Sequence, residues 1–241
     1  MWLGRPQNQP VSGAISDVVR RWPAAAVGVL TGDSRVFPLS HSWMVSNYLD
    51  MKRVRIIDCA VRFDSHAIVD ELLRLDQDVD TALMAMDVRR AFTPYQILEA
   101  IHNIPTQGNK AHDIYYFLAP FKQFFDGDVA SDEAAYLLHL MNERIRSLGH
   151  AGWSIIVVEK AQYDHAAFSA ANIQLRAIAQ PLWEIVNLTR PEGIVSVLRT
   201  SVLGESNGKN HRTLQYPASN DRSAIRQVPS SPAEARSGAT G

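Results

Sequence analysis

Short apolar runs that alternate with longer amphipathic runs constrain the fold of this chain more than any other feature. The clearest apolar runs are AAVGVL (25–30), VRIID (54–58), DIYYFLA (113–119) and WSIIVVE (153–159). Each is rich in β-branched or aromatic residues, which is typical of a strand buried on both faces. Strands of this kind, separated by helices, predict an α/β fold with a mostly parallel central sheet and helices on both faces.

A second pattern predicts an antiparallel hairpin at the C-terminal end of the sheet. LWEIVNLT (182–189) and GIVSVLRT (193–200) are separated by RPEG, in which Pro191 and Gly193 favour a turn.

Helical periodicity is seen in HAIVDELLRL, TPYQILEAIHNI and SDEAAYLLHLMNERIRSLGH. We expect Thr93 to cap the second helix, with Pro94 in its first turn. In the third we expect Ser131 as the N-cap and Gly149 as the residue that ends the helix. SWMVSNYL indicates the start of a further helix after the first strand.

Composition divides the chain into a polar leader (1–13), an α/β domain (14–203) and a tail (204–241) rich in Ser, Pro, Gly and Asn. The tail has few large apolar residues with which to offset its ordering entropy, so we predict that it is disordered.

Charge and cysteine content exclude several classes of protein. The formal net charge of −1 gives no electrostatic case for a dedicated nucleic-acid binder. The single cysteine, Cys59, excludes a disulfide within the chain and a cysteine-based zinc site. No apolar stretch is long enough to predict a membrane span. We expect an intracellular protein, in the cytoplasm or nucleoid or in the nucleus, without a membrane partner.

The segment GDSRVFPLSH (32–41) follows the first predicted strand, where α/β proteins commonly hold phosphate. A working phosphate loop reads G-x-x-x-x-G-K-[ST]. Gly32 fits its first glycine, but Phe37, Pro38 and Leu39 replace the second glycine, the lysine and the hydroxyl.

The order of these segments resembles the RecA/RadA strand-exchange recombinases and their paralogs, whose loop reads G-E-x-x-x-G-K-T. The resemblance implies a RecA-like P-loop NTPase-type core over 14–203. It also implies a vestigial nucleotide-binding turn made of Gly32, Asp33, Ser34 and Arg35.

Three later segments match other landmarks of that family. RIIDCAVRF resembles the family's strand ending D-T-E-G-T-F and matches it at Asp58 and Phe63. RRAFTPYQILEAI resembles its A-R-A-F segment and matches it at Arg90 and Phe92. WSIIVVEK resembles a later strand, and Lys160 stands where the family has a nucleotide-sensing glutamine. Lys160 would either form a salt bridge across a vacant pocket or cap the strand end in solvent.

The groups that carry phosphoryl transfer in the family are absent together. The loop lacks the lysine and the hydroxyl, the acid that activates water falls on Ala60, and Leu118 or Ala119 replaces the second metal-site acid. Each of these groups neutralises charge or positions a reactant. We therefore predict no catalytic residue, no metal site and no magnesium-dependent ATPase activity. No cofactor is expected, although ATP binding remains open.

The resemblance implies a non-catalytic RecA-like paralog, or pseudo-ATPase, that acts as a protein-interaction subunit in homologous recombination or DNA repair. Its expected partner is a recombinase or another RecA-like paralog, and DNA would be reached through that complex.

The residues also leave two alternatives open. One is an enzyme, either an ATP-binding protein with an unorthodox loop or a metal-dependent hydrolase that uses Asp58, Asp64 and His66. The other is a direct DNA-binding module. Its candidate contacts are Arg176 and basic residues of the tail, among them Lys209 and Arg212.

Overall fold

The computed structural model describes residues 26–105, 107–125, 129–190, 193–201, 213–216 and 226–228. Its centre is one 9-stranded sheet in the order β3-β2-β4-β5-β1-β6-β7-β8-β9. The strands are β1 (Val27–Gly32), β2 (Arg53–Asp58), β3 (Asp87–Arg90), β4 (Asp113–Leu118), β5 (Ser154–Lys160), β6 (Leu182–Arg190), β7 (Gly193–Ser201), β8 (Thr213–Tyr216) and β9 (Arg226–Val228). Neighbouring strands from β3 to β6 are parallel, and those from β6 to β9 are antiparallel. The predicted α/β fold with a mostly parallel sheet is confirmed.

Helices cover both faces of the sheet, as predicted. They are α1 (Val36–Leu49), α2 (Ser65–Arg74), α3 (Val79–Met84), α4 (Pro94–His102), α5 (Ser131–His150) and α6 (Ala166–Ile178), with a short 3-10 helix at Lys122–Phe125. Helices α1 to α3 contribute to one apolar core, and α4 to α6 contribute to the other.

The central strands alternate between these two cores. Leu30 packs in the core under α1 and its neighbour Val29 packs in the core under α5. The first core also contains Trp43 of α1 and Trp183 of β6, whose rings meet edge to face with centroids 4.8 Å apart. The apolar runs therefore lack a solvent-facing side, as the sequence indicated.

The boundary of α4 agrees with the prediction, whereas those of α5 differ from it. The Thr93 hydroxyl caps α4 as expected and accepts from the Gln96 amide at 3.2 Å. In α5, however, Ser131 is the first helical residue instead of the cap, and Gly149 lies inside the helix. A Cβ on Gly149 would lie 2.6 Å from Cγ2 of Val27, so glycine here permits close packing of α5 on β1.

Helix α1 begins earlier than the sequence indicated. It starts at Val36 and includes Pro38, which the first turn of a helix tolerates. Strand β3 was not predicted, because all its residues are exposed and its sequence, DVRR, has no apolar pattern.

The predicted C-terminal hairpin is confirmed by the antiparallel pairing of β6 with β7, although its turn, 191–192, lies outside the described residues. Beyond it, β8 and β9 fall within 204–241, the segment that was predicted to be disordered. Strand β8 extends the sheet by antiparallel pairing with β7, and β9 pairs antiparallel with β8. The leader 1–13 and the rest of 204–241 are outside the described residues. Within the described ranges, no helix combines the length and the apolar character needed to cross a membrane.

Candidate functional site

Four of the positions matched to the recombinase family, and also Leu118, end strands of the sheet. Gly32 ends β1, Asp58 ends β2, Arg90 ends β3, Leu118 ends β4 and Lys160 ends β5. Because these strands are parallel, their ends lie along one edge, where open α/β sheets bind ligands.

The turn after β1 is short and tightly packed. Gly32 has a φ of 153°, and a Cβ at this position would lie 2.8 Å from the Cβ of Ile185. Only Asp33, Ser34 and Arg35 separate β1 from α1. The backbone therefore turns directly into the helix, without a wide loop.

A carboxylate of the chain itself lies at this helix N-terminus. Asp33 Oδ1 accepts from the backbone amide of Arg35 at 3.0 Å and from its Nε at 2.8 Å. The hydrogen bond from Arg35 lowers the pKa of Asp33, although partial burial opposes the shift. Arg35 Nη2 also donates to Oδ1 of Asn187 on β6 at 2.6 Å. The arginine is thus already engaged with groups of the protein.

The amides of the turn are also used within the chain. Val36 N donates to the Asp33 carbonyl at 3.2 Å, and Phe37 N donates to that of Ser34 at 3.4 Å. Val36, Phe37 and Leu39 are buried in the core. A phosphate loop needs open amides, whereas here the hydrogen bonds close the turn.

Asp58 organises the loop that follows β2. Its buried carboxylate accepts from the amides of Arg62 at 2.8 Å and of Phe63 at 3.3 Å. Asp64 caps α2 by accepting from the amides of His66 at 3.0 Å and Ala67 at 3.2 Å. Within the described residues, no group of three or more His, Cys, Asp or Glu side chains could hold a metal ion. The structure therefore does not bring Asp58, Asp64 and His66 together as a metal site.

The other matched residues have mixed environments. Phe63 packs against the first core and lies edge-on to His41 at 5.9 Å between ring centroids. Arg90 and Phe92 are exposed near the end of β3, two strands beyond β4 and away from the β1 turn. Lys160 is half-buried beside Gly32, its register partner, and the next amide, that of Ala161, donates to the Gly32 carbonyl at 2.7 Å.

The DNA-binding candidates receive no support from the structure. Arg176 Nη2 on α6 donates to Oε1 of Glu184 on β6 at 2.8 Å, so an acid of the same chain already neutralises its charge. Lys209 and Arg212 lie outside the described residues.

Sequence reasoning missed Glu159, which is the most unusual ionisable residue at this edge. Its side chain is only 1% exposed. Its carboxyl accepts from Phe121 N at 2.8 Å, Lys160 N at 2.8 Å and the Tyr163 hydroxyl at 2.7 Å. Glu159 therefore ties the segment after β4 to the segment after β5. The burial of Glu159 could have been predicted from WSIIVVE, because period-2 alternation places it on the same buried face as Ile155 and Val157.

Burial raises the pKa of Glu159 to about 7, although its three hydrogen bonds and the charge of Lys160 oppose the shift. Burial and the charge of Glu159 also raise the pKa of the Tyr163 hydroxyl. Near neutral pH the carboxyl is thus present in both protonation states.

Thr31 of β1 lies beside Glu159 and is paired in register with both Glu159 and Glu184. It is 1% exposed, and its hydroxyl has no hydrogen-bond partner in the described part of the chain. Polar side chains therefore form a row across β5, β1 and β6, in which Glu159 and Thr31 are buried and Glu184 is partly exposed.

No protein-family model matches the chain, and a search of curated proteins finds no match. The fold defines an α/β protein with a mostly parallel sheet. At the carboxyl edge of this sheet, Asp33 and Arg35 close the turn after β1.

Proposed function

We propose that this chain is a non-catalytic RecA-like paralog, which acts as a protein-interaction subunit in homologous recombination or DNA repair. Its partner would be a recombinase or another RecA-like paralog, and DNA would be contacted through that complex. The observation that supports the proposal is the arrangement of the matched positions. Gly32, Asp58, Arg90 and Lys160 are separated in the sequence but end strands of the same sheet edge.

The chemistry at that edge supports the non-catalytic part of the proposal. Asp33 and Arg35 close the turn where the family holds phosphate. Ala60, Leu118 and Ala119, which replace the catalytic and metal-site acids, are buried apolar residues. Phosphoryl transfer depends on charge neutralisation and positioning, for which these side chains have no suitable groups.

The interaction is tested by immobilising the full chain and titrating the purified recombinase of the same organism, with an unrelated α/β protein of similar size on the reference surface. Saturable binding that is retained after nuclease treatment is expected. Binding that disappears with nuclease would indicate that DNA alone joins the proteins. Failure to bind the recombinase or any RecA-like paralog would contradict the proposal.

The loss of nucleotide chemistry is tested by calorimetric titration of the chain with ATP and ADP, with and without magnesium. No heat of binding is expected, because the amides of Arg35, Val36 and Phe37 and the Arg35 guanidinium already have partners. Clear micromolar binding would overturn this view of the turn. ATP turnover that is lost in Arg35→Ala would overturn the non-catalytic proposal as well.

A further inference from the structure

A groove of about 650 Å³ lies at the amino edge of the sheet, opposite the β1 turn. It is formed where α1 ends, β2 begins and α3 leads into β3. The residues that matter here are Met51, Lys52, Arg53, Arg55, Met84 and Asp87, all of which line it.

Two methionines form an apolar rim on this groove. Met84 is 88% exposed and Met51 is 81% exposed, more than any other large apolar side chain in the described residues. Met51 also has a φ of 61°, in the left-handed region that disfavours residues with a Cβ by about 1 kcal/mol or more. Exposed methionine is flexible and polarizable, and it suits a surface that binds partners of varied shape.

The lining of the groove carries excess positive charge. It contains three cations, Lys52, Arg53 and Arg55, and one acid, Asp87, which gives a net charge of +2. Arg55 is balanced by Asp87 at 2.8 Å and by Asp113 at 3.4 Å. Lys52 donates to the carbonyl of Ala111 instead of to a carboxylate. Arg53 has no ion pair among the residues that the structure describes.

We propose that this groove is a docking site for an acidic segment of a partner protein that carries at least one large apolar side chain. Carboxylates of the segment pair with Lys52 and Arg53, and its apolar side chain packs between Met51 and Met84. Ion pairs at the rim of such a site contribute mainly to specificity and association rate, while the buried apolar anchor contributes most of the affinity.

The chain's own tail has the wrong charge to occupy the groove. Over 204–241 it has Lys209, Arg212, Arg222, Arg226 and Arg236 against three acids. Like charges would therefore face one another. A nucleic acid would match the cations but would leave the methionine rim uncovered. This docking site does not depend on the proposed function, because its occupant need not be a recombinase.

The test is selection of binders from a randomised peptide display library against the full chain, followed by fluorescence anisotropy with the enriched peptides. Enriched sequences are expected to combine Asp or Glu with a large apolar residue. Arg53→Glu and Met84→Ser are each expected to weaken binding at least tenfold. Matched controls are Lys122→Glu, a charge reversal near the opposite edge, and Ile173→Ser, which removes an exposed apolar side chain on α6.

Met51→Gly separates docking from folding. Glycine relieves the left-handed strain, so stability should be retained or increased while peptide binding weakens. The proposal is overturned if no peptide is enriched, if enriched peptides lack acidic residues, or if binding survives Arg53→Glu and Met84→Ser. The proposal is also overturned if a short DNA duplex displaces the peptide and binds with equal or higher affinity than the peptide does. The groove would then be a nucleic-acid site.

Discussion

Glu159→Gln tests whether one buried carboxyl makes the stability of this fold depend on pH. Burial raises the pKa of Glu159 from 4.5 to about 7 in the folded chain, while the unfolded chain keeps the ordinary value. The folded state therefore binds this proton more tightly than the unfolded state does. The stability contributed by Glu159 is complete below about pH 4.5 and is lost as the pH rises through about 7.

One unit of pKa corresponds to about 1.4 kcal/mol. For Glu159, the free energy of unfolding should thus fall by about 2 to 3 kcal/mol between pH 5 and pH 8. Glutamine does not titrate, so the substitution removes this dependence of the free energy of unfolding on pH. It also has a single oxygen, whereas Phe121 N, Lys160 N and the Tyr163 hydroxyl contact both carboxyl oxygens. One backbone amide would face the NH₂ group, which costs about 1 to 3 kcal/mol.

The assay is urea unfolding of the wild type and Glu159→Gln at pH 5, 6, 7 and 8. The variant should be less stable at pH 5, and its deficit should shrink or vanish at pH 8. Glu99→Gln, on the exposed side of α4, is the control and should follow the wild type. An equal difference between wild type and Glu159→Gln at pH 5 and pH 8 would refute the reasoning, because the buried carboxyl would then not titrate in this range.

Three further substitutions test the carboxyl edge by urea unfolding at pH 7. Gly32→Ala should lower stability by about 2 kcal/mol or more, because its Cβ would lie 2.8 Å from that of Ile185 on a backbone with φ 153°; wild-type stability would contradict the close packing. Asp58→Asn should lower stability by about 1 to 3 kcal/mol, since its NH₂ group would face loop amides that now donate to the carboxylate. An unchanged midpoint would mean that the loop does not depend on these bonds. Thr31→Val should raise stability by about 1 kcal/mol, because it removes a buried hydroxyl without a partner in the described residues; a loss of stability would show that the hydroxyl is satisfied.

The sequence predicted the elements whose burial leaves a simple pattern. Strands such as β4 and β5 are buried on both faces and appear as apolar runs, and α4 shows its cap and its proline directly. Strand β3 was missed because an exposed strand of four residues carries no such run. The start of α1 was placed too late because the segment 32–41 was compared with a phosphate loop, although a helix accepts proline in its first turn, as at Pro38.

The candidate site was less predictable, because it depends on contacts between distant segments. The sequence placed Gly32, Asp58 and Lys160 near strand ends, and the structure agrees. Nothing local indicated that Arg176 on α6 meets Glu184 on β6 or that Arg35 meets Asn187. The alternation in WSIIVVE could have indicated the burial of Glu159, but not its partners, because these follow two different strands.

The edge-to-face pair of Trp43 and Trp183 gives this fold an optical reporter. The two indoles connect α1 to β6, the elements that flank the β1 turn, with ring centroids 4.8 Å apart. Both are fully buried, so their near-ultraviolet circular dichroism arises from fixed tertiary packing. A ligand that opened the β1 turn would shift α1 against β6 and change this circular dichroism. The measurement needs no label on the chain.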